Sequence, residues 1–284
     1  MINKLAPPLT VSIVVYHLDQ PVLQQALASL AATADHAANQ GLLSTLNLYL
    51  IDNSEEAANR SALKSLGDCF QSDRTTLQII SGHGNVGYGR GHNLAIGRAE
   101  SEHGVQGCYL ILNPDVIMAP DALTSGLQWL ASQQRTVAVA PAITDGSGNR
   151  ASSCKRYPSV LDFLLRGFAP GFVKKLFARR LAHYDMNDLP ADRPSDDIPV
   201  ISGCFMLFRF SALRDLRGFD PNYFLYFEDF DLSLRAHRLG SLTYLPMMRI
   251  THLGGHSAKK GLRHITMFSR SALRFFNTHG WRWL

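Results

Sequence analysis

The sequence predicts an α/β fold: a mostly parallel central sheet flanked by helices, with a helical extension at the C-terminal, acceptor-side end. Three observations carry this. Short apolar runs recur through the first 140 residues, at Val11–Tyr16, Leu46–Ile51, Leu77–Ile80, Cys108–Leu112 and Val137–Ala140. Their near-continuous apolar character is that of strands buried on both faces, and helical patterns between them argue for a parallel sheet. Polar residues close several of them: Asp52, the glycine-rich loop after Ile80, and Asp115. In such a sheet these converge on one crevice beyond the carboxyl ends of the strands.

Each element has a local reason. Val11–Tyr16 is largely β-branched and lies between Pro8 and Pro21, and the Ala/Leu-rich stretch from Pro21 to Ala34 reads as a helix that starts beside a proline. Asp121–Gln133 is a second helix. The character then changes. Thr144–Arg150, with Asp145-Gly146, reads as a loop, Ser159–Tyr184 mixes apolar and basic residues, and Leu189–Pro199 is a Pro/Asp loop. Ile201–Phe208 and Leu242–Leu245 read as strands, Glu228–Leu239 as a helix, and His264–Thr278 as a basic helix followed by Trp281 and Trp283. No repeat or low-complexity tract interrupts the chain. The expectation is one domain over residues 1–284, with a ligand-binding half over about 8–142 and a second half over about 143–284.

Composition narrows the class. Hydrophobic residues make up 46% and charged residues 18% of 284, which supports a large core and excludes disorder. The net charge of +5 suits polyanionic small molecules or a membrane surface and does not call for nucleic acid. Cys69, Cys108, Cys154 and Cys204 are far apart with no CxxC pair, so neither a zinc site nor a disulfide framework is expected. Cys108 and Cys204 sit in apolar runs and read as core residues, and reducing, cytoplasmic surroundings fit best. No leader-like stretch opens the sequence, and no apolar run reaches membrane-spanning length.

Four constellations carry chemistry. Asn113-Pro114-Asp115 delivers an amide and a carboxylate from the end of a buried strand. Asp115 can either form a turn or hold Mg²⁺ or Mn²⁺ against diphosphate oxygens. Asp52-Asn53-Ser54 can accept hydrogen bonds from a ribose or base, or cap a helix. Residues 82–91 hold five glycines and precede a helical pattern, which suits close backbone approach to a nucleotide but matches neither a Rossmann fingerprint nor a P-loop. Glu228, Asp229 and Asp231 open a helix among Tyr223, Phe224, Tyr226, Phe227 and Phe230. Such walls raise carboxylate pKa values as a general base requires, although acidic residues also favour helix N-termini. On an ideal helix Glu228 and Asp231 share a face and Asp229 points elsewhere. His252 and His256 flank a glycine pair, a ligand pattern or a structural one.

Taken in order, SIVVY, IDNS, NVGYGRGHN, LNPD, ISGCFMLFR, GFDPNYFLYFEDFDLSLRAHRLG and THLGGHS resemble glycosyltransferase family 2, and its bacterial rhamnosyltransferase-like branch in particular. The resemblance runs from residue 11 to about 276. It implies a GT-A fold, a divalent metal and inversion at the anomeric carbon. Carried over by position, Val15, Tyr16, Asp52, Asn85, Gly87, Tyr88, Asn93 and Asn113 would form the nucleotide-sugar pocket. Asp115 would hold Mg²⁺ or Mn²⁺ with His252 as second ligand. Asp229 would be the general base and Glu228 would orient the acceptor or the base. Arg156, Gly203 and Cys204 would lie on the acceptor side. Two departures stand out: Tyr16-His17 replaces the family's Tyr-Asn pair, and Asn113 replaces an Asp of the metal motif.

The resemblance implies a nucleotide-sugar donor, with dTDP-L-rhamnose as the best match, and a glycan or lipid-linked glycan acceptor in lipopolysaccharide or another envelope polymer. UDP-hexose and UDP-galactofuranose remain open as donors. Arg166, Lys174, Lys175, Arg179 and Arg180, set among Leu and Phe, suggest peripheral contact with the inner face of the cytoplasmic membrane; the alternative is a solvated helix covering the core. A nucleotidyltransferase would want a basic phosphate grip near the first strand, and Ser12–Asp19 holds no Lys or Arg. A non-catalytic carbohydrate-binding module is the other alternative.

Overall fold

The computed structural model describes residues 6–54, 56–68, 70, 72–254 and 262–284. Four parallel strands form one half of the main sheet: β1 (Leu9–Val15), β2 (Leu46–Asp52), β3 (Thr75–Ile80) and β4 (Cys108–Leu112). The other half takes β5 (Val116–Met118), β6 (Thr136–Asp145), β10 (Phe205–Arg209) and β11 (Ser241–His252). Their order is β3-β2-β1-β4-β10-β6-β11-β5, with β7 (Arg150–Ala151) paired to β6. β10 runs antiparallel between β4 and β6, and β5 antiparallel to β11, so the sheet is mostly parallel and draws strands from both halves of the chain.

Alternation along β1 builds two cores. Val11, Ile13 and Val15 face Leu23, Leu27 and Leu30 of α1 (Gln20–Asn39), whereas Val14 joins Ala95, Ile96 and Ala99 of α3 (Tyr88–His103) on the other face. α1 begins one residue before Pro21, where the Asp19 side chain accepts from the Val22 N–H. α2 (Ala57–Asp68) and α4 (Ala122–Ser132) complete the flanking helices of the first half, and the short α8 (Phe210–Asp215) follows β10. Cys108 and Cys204 are buried, as their apolar settings suggest, and Cys154 is buried too; Cys69 lies outside the described residues.

Several boundaries differ from the sequence reading. Thr144–Arg150 is a hairpin: β6 continues to Asp145, whose carboxylate accepts from the N–H groups of Ser147 and Asn149 and turns the chain into β7. Ile201–Phe208 is interrupted at 202–204, leaving β9 (Val200–Ile201) against β8 (Cys154–Lys155) and β10 in the main sheet. Ser159–Tyr184 folds into α5 (Val160–Phe168), α6 (Gly171–Leu176) and α7 (Ala178–Tyr184), the first capped reciprocally by Ser159 and Asp162. A third, largely aromatic cluster joins α5, α9 (Glu228–Ala236) and α10 (Leu262–His279) through Phe163, Phe227, Phe230, Phe275 and Phe276. It forms the helical extension expected at the C-terminal end.

Candidate functional site

β1, β2 and β4 are parallel neighbours, so their carboxyl ends lie side by side at one edge of the sheet. Val15 pairs with Asp52 across β1 and β2, so the two residues end neighbouring strands; Val15 is buried and Tyr16, next along, is 47% exposed. Asp52 is buried. Its Oδ1 accepts from the Ser54 N–H and hydroxyl, at 3.0 and 2.6 Å, while Oδ2 has no partner among the described residues. A buried acceptor left open at a strand end is a vacancy suited to a ligand donor. Asn53 caps no helix; its Nδ2 donates to the Gly87 carbonyl at 2.9 Å and ties the second strand to the glycine-rich loop.

That loop behaves differently from its sequence reading. A Cβ on Gly87 would lie 2.2 Å from the Phe224 carbonyl oxygen, and one on Gly91 would lie 2.9 Å from Val14 Cγ2. These glycines let the loop close on the protein itself. Asn85 is exposed and accepts from the Gly87 N–H at 3.0 Å, shaping the turn. Asn93 grips Phe219 from both sides, Nδ2 to the carbonyl and Oδ1 from the N–H, at 2.8 and 2.9 Å. It thereby holds the segment leading to the acidic helix.

Asn113, Asp115 and His252 meet where β4 ends and β11 ends. His252 Nε2 is 3.2 Å from Asp115 Oδ1 and 3.4 Å from Asn113 Nδ2. A hard carboxylate oxygen and an imidazole nitrogen therefore converge on one point, as two ligands of a divalent ion do. Among the described residues no three His, Cys, Asp or Glu side chains gather, so the remaining positions of any ion there would fall to donor oxygens or water. His256, the other half of the histidine pattern, lies outside the described residues.

The break at 202–204 joins this point to the acidic pair. The Asn113 N–H donates to the Cys204 carbonyl at 2.9 Å, the Gly203 N–H donates to Asp229 Oδ2 at 2.9 Å, and the Tyr88 hydroxyl donates to the Gly203 carbonyl at 2.6 Å. Two residues of backbone thus connect the Asn-Pro-Asp turn, the start of α3 and the carboxylate of Asp229. Burial, helped by nearby Cys204 and the carboxyls of Glu228, Asp229 and Asp115, holds the Tyr88 hydroxyl well above its usual pKa. Cys204 itself is pushed up to about 11 by burial and is inert.

Glu228 and Asp229 line a pocket of about 600 Å³ together with Lys155, Arg166, Tyr184, Tyr226 and Phe268. Asp231 does not join them: it pairs with Arg235 and His279 at 2.8 and 2.9 Å and anchors α10. The helical wheel fails here because Tyr226 and Phe227 are left-handed, at φ 72° and 68°, so Glu228 leaves the turn before a regular face exists. Aromatic packing of Phe227 against Phe163, Phe268 and Phe275 offsets that strain. Burial and the Asp229 charge raise Glu228 to about 8. Burial raises Asp229 as well, opposed by the N–H groups of Gly203 and Phe230 and by the Lys155 charge. Arg156 is turned away, bidentate on Asp188, and Lys155 and Arg166 supply the cations of this pocket. The aromatic wall of α5 and α10 was not among the residues singled out from sequence.

A family model described as Glycosyltransferase like family 2 matches residues 7–266. The chain belongs to that family. Among curated relatives of this glycosyltransferase-family chain, an N-acetylglucosaminyl-diphospho-decaprenol L-rhamnosyltransferase of Mycobacterium tuberculosis is 29% identical over 191 residues, covering 64% of this chain and 60% of the relative. Rhamnosyltransferase WbbL of Escherichia coli K12 is 29% identical over 184 residues, covering 63% of this chain and 65% of the relative. The chain therefore matches less than two thirds of the length of either. GalNAc-T7, crystallised with UDP, GalNAc and Mn²⁺, aligns with a TM-score of 0.63 at 14% identity, over 96% of this chain and 50% of that one. The mannosyltransferase PcManGT of Pyrobaculum calidifontis, solved with GDP-Man and Mn²⁺, gives 0.60 at 16%, over 95% and 65%. Both likenesses are of fold, and the fold is GT-A.

Proposed function

We propose that the protein is an inverting, metal-dependent glycosyltransferase that moves L-rhamnose from dTDP-L-rhamnose onto a glycan or lipid-linked glycan of the cell envelope, at the inner face of the cytoplasmic membrane. The observation that carries the reading is the Gly203-Cys204 bridge, which couples Asp229 to the Asn113–Asp115 turn by two 2.9 Å hydrogen bonds. A base on one side and a metal-binding carboxylate on the other is what in-line displacement at an anomeric carbon requires. The rhamnosyl donor and a lipid-diphosphate-linked acceptor are suggested by what the two relatives are named for. The residue assignments follow the motif order.

In this mechanism residues 8–142 hold the donor and 143–284 the acceptor. The open Oδ2 of Asp52 accepts from the nucleoside, and Asn85 and Gly87 shape the loop beside it. Asp115 and His252 would hold Mg²⁺ or Mn²⁺, which when bound neutralises the diphosphate as the glycosidic bond breaks. Asp229 takes the proton of the acceptor hydroxyl as that oxygen forms the new bond to the anomeric carbon. Glu228, protonated at neutral pH, donates a hydrogen bond to the acceptor and keeps a second negative charge away from the base.

A thermal-shift screen with dTDP-L-rhamnose, UDP-hexoses and UDP-galactofuranose, with and without Mn²⁺, tests this. The expected result is a metal-dependent rise in Tm, largest for dTDP-L-rhamnose and abolished by Asp115→Ala. A larger shift with a UDP-sugar would replace the donor; no shift with any nucleotide sugar would sink the reading.

A further inference from the structure

The acceptor pocket is bordered by a helix that buries nothing. α6 has no buried residue, and Phe172 and Leu176, one turn apart on it, are 76% and 81% exposed. Apolar side chains protruding this far, together, mark an interaction surface rather than scatter. Around them stand Lys174, Lys175 and Arg179. Residues 160–184 hold five Lys/Arg against a single Asp, and that Asp162 is buried in its own pairing with Arg180. Lys175 and Arg179 have no ion pair among the described residues and are exposed. α6 is fastened to the pocket: Lys174 Nζ donates to the carbonyl of Arg166, a lining residue, at 2.8 Å. At the start of α5, the Val160 and Leu161 N–H groups donate to the carbonyls of Arg282 and Trp283, which holds the segment carrying the exposed Trp281 and Trp283 against this end of the helix.

We propose that α6, with the adjoining cations of α7, is a docking surface for an anionic lipid bilayer. Phe172 and Leu176 insert at the headgroup boundary, and Lys175 and Arg179 rest on the anionic headgroups, with their stems along the apolar layer. The charge pattern selects this occupant, because the surface presents cations and apolar tips with no free carboxylate between them. Among the described residues no helix is long and apolar enough to cross a membrane, so attachment through α6 would be peripheral. The surface stands on its own geometry; its purpose, presenting a lipid-linked acceptor to the adjacent pocket, rests on the function proposed above.

Flotation of the full chain with phosphatidylglycerol/phosphatidylcholine vesicles, without donor or acceptor, tests it. The protein is expected to float with these vesicles at low salt, to stay behind with phosphatidylcholine alone, and to release near 1 M salt, where screening is about 3 Å. Phe172→Ser/Leu176→Ser should lower partitioning about tenfold. Lys175→Gln/Arg179→Gln should lower it about 25-fold, at about fivefold per cation. Lys64→Glu on α2 should change nothing, and all variants should keep the parent Tm. Failure of the wild type to float, equal flotation of Phe172→Ser/Leu176→Ser, or a wild-type dimer that this variant dissociates would each overturn the proposal. A protein that floats but transfers no sugar would sink the function and leave the surface. One that transfers sugar to a detergent-soluble acceptor but does not float would do the reverse.

Discussion

The strand-end groups proposed to hold the donor and the pocket proposed to take the acceptor meet at Gly203-Cys204 and are built by opposite means. On the donor side, polar groups ride on strand ends: Asp52 closes β2, and Asn113 and Asp115 follow β4. The sheet fixes their positions, so their side chains need little further support. On the acceptor side, Glu228 and Asp229 open a helix that follows two left-handed residues, and three helices wrapped in aromatic rings hold that turn in place. The crevice is preorganised by backbone hydrogen bonding, the pocket by apolar packing. The first arrangement resists change in chemistry at a single residue; the second raises the pKa of both carboxyls by burial, Glu228 to about 8.

The sharpest way to break this comparison is at the base. Asp229→Asn keeps shape and one hydrogen-bond acceptor for the Gly203 N–H but removes the proton acceptor. Turnover should fall by about 10³-fold, within the range for losing a general base. Metal-dependent donor binding, measured by calorimetry, should stay within about twofold, because the donor groups sit on the strands. A parallel loss of both would mean that the two regions are not separable and that Asp229 serves the donor.

How much of this could be read from sequence follows the same division. Asp52, Asn113 and Asp115 were legible because strands end where apolar runs end, and the crevice lies at those ends. The pairing of Glu228 with Asp229 was legible only through the family resemblance, because helical periodicity put Glu228 with Asp231. Two non-glycine residues in the left-handed region carry no reliable sequence mark. Lys155 and Arg156 illustrate the same limit: Lys155 ends β8 and lines the pocket, whereas Arg156, just past the strand, turns to Asp188. The amphipathic run from Ser159 to Tyr184 did carry a signal for the pocket wall, in Phe163 and Arg166, but its composition spoke equally of surface.

The glycine-rich loop links the regions, and a smaller effect tests that link. Gly87 has φ of 88°, and its missing Cβ leaves room for the Phe224 carbonyl, 2.2 Å from where that atom would be. Gly82 has nearly the same φ, 89°, with nothing within 4 Å. Gly82→Ala should therefore lose only the conformational part, about 1 kcal/mol, and Gly87→Ala roughly 3 kcal/mol in urea unfolding. Equal losses would show that the loop does not bear on the Phe224 segment, and the coupling between donor loop and acidic helix would lose its main steric support.

The smallest effect, and the most specific to the packed pocket, concerns Glu228. Its carboxyl moves from 4.5 to about 8 on folding. Below pH 8 it is a neutral donor beside the Asp229 carboxylate; above, it adds a second charge and loses its proton. Transfer should therefore rise as Asp229 ionises and fall again near pH 8. Glu228→Gln should cost only about threefold at pH 7 and should remove the alkaline fall, since the amide stays neutral and still donates. Stability gives an independent reading with a definite sign. Between pH 4.5 and about 8 the folded chain keeps a proton that the unfolded chain has released, so this group makes stability fall as pH rises through that window and adds no slope above it. Glu228→Gln lacks the term, and its Tm should gain on the wild type from pH 5 to 8 and then run parallel. Parallel curves across the whole range, with the alkaline fall retained, would assign the perturbed proton to another group and leave Asp229 alone in the pocket.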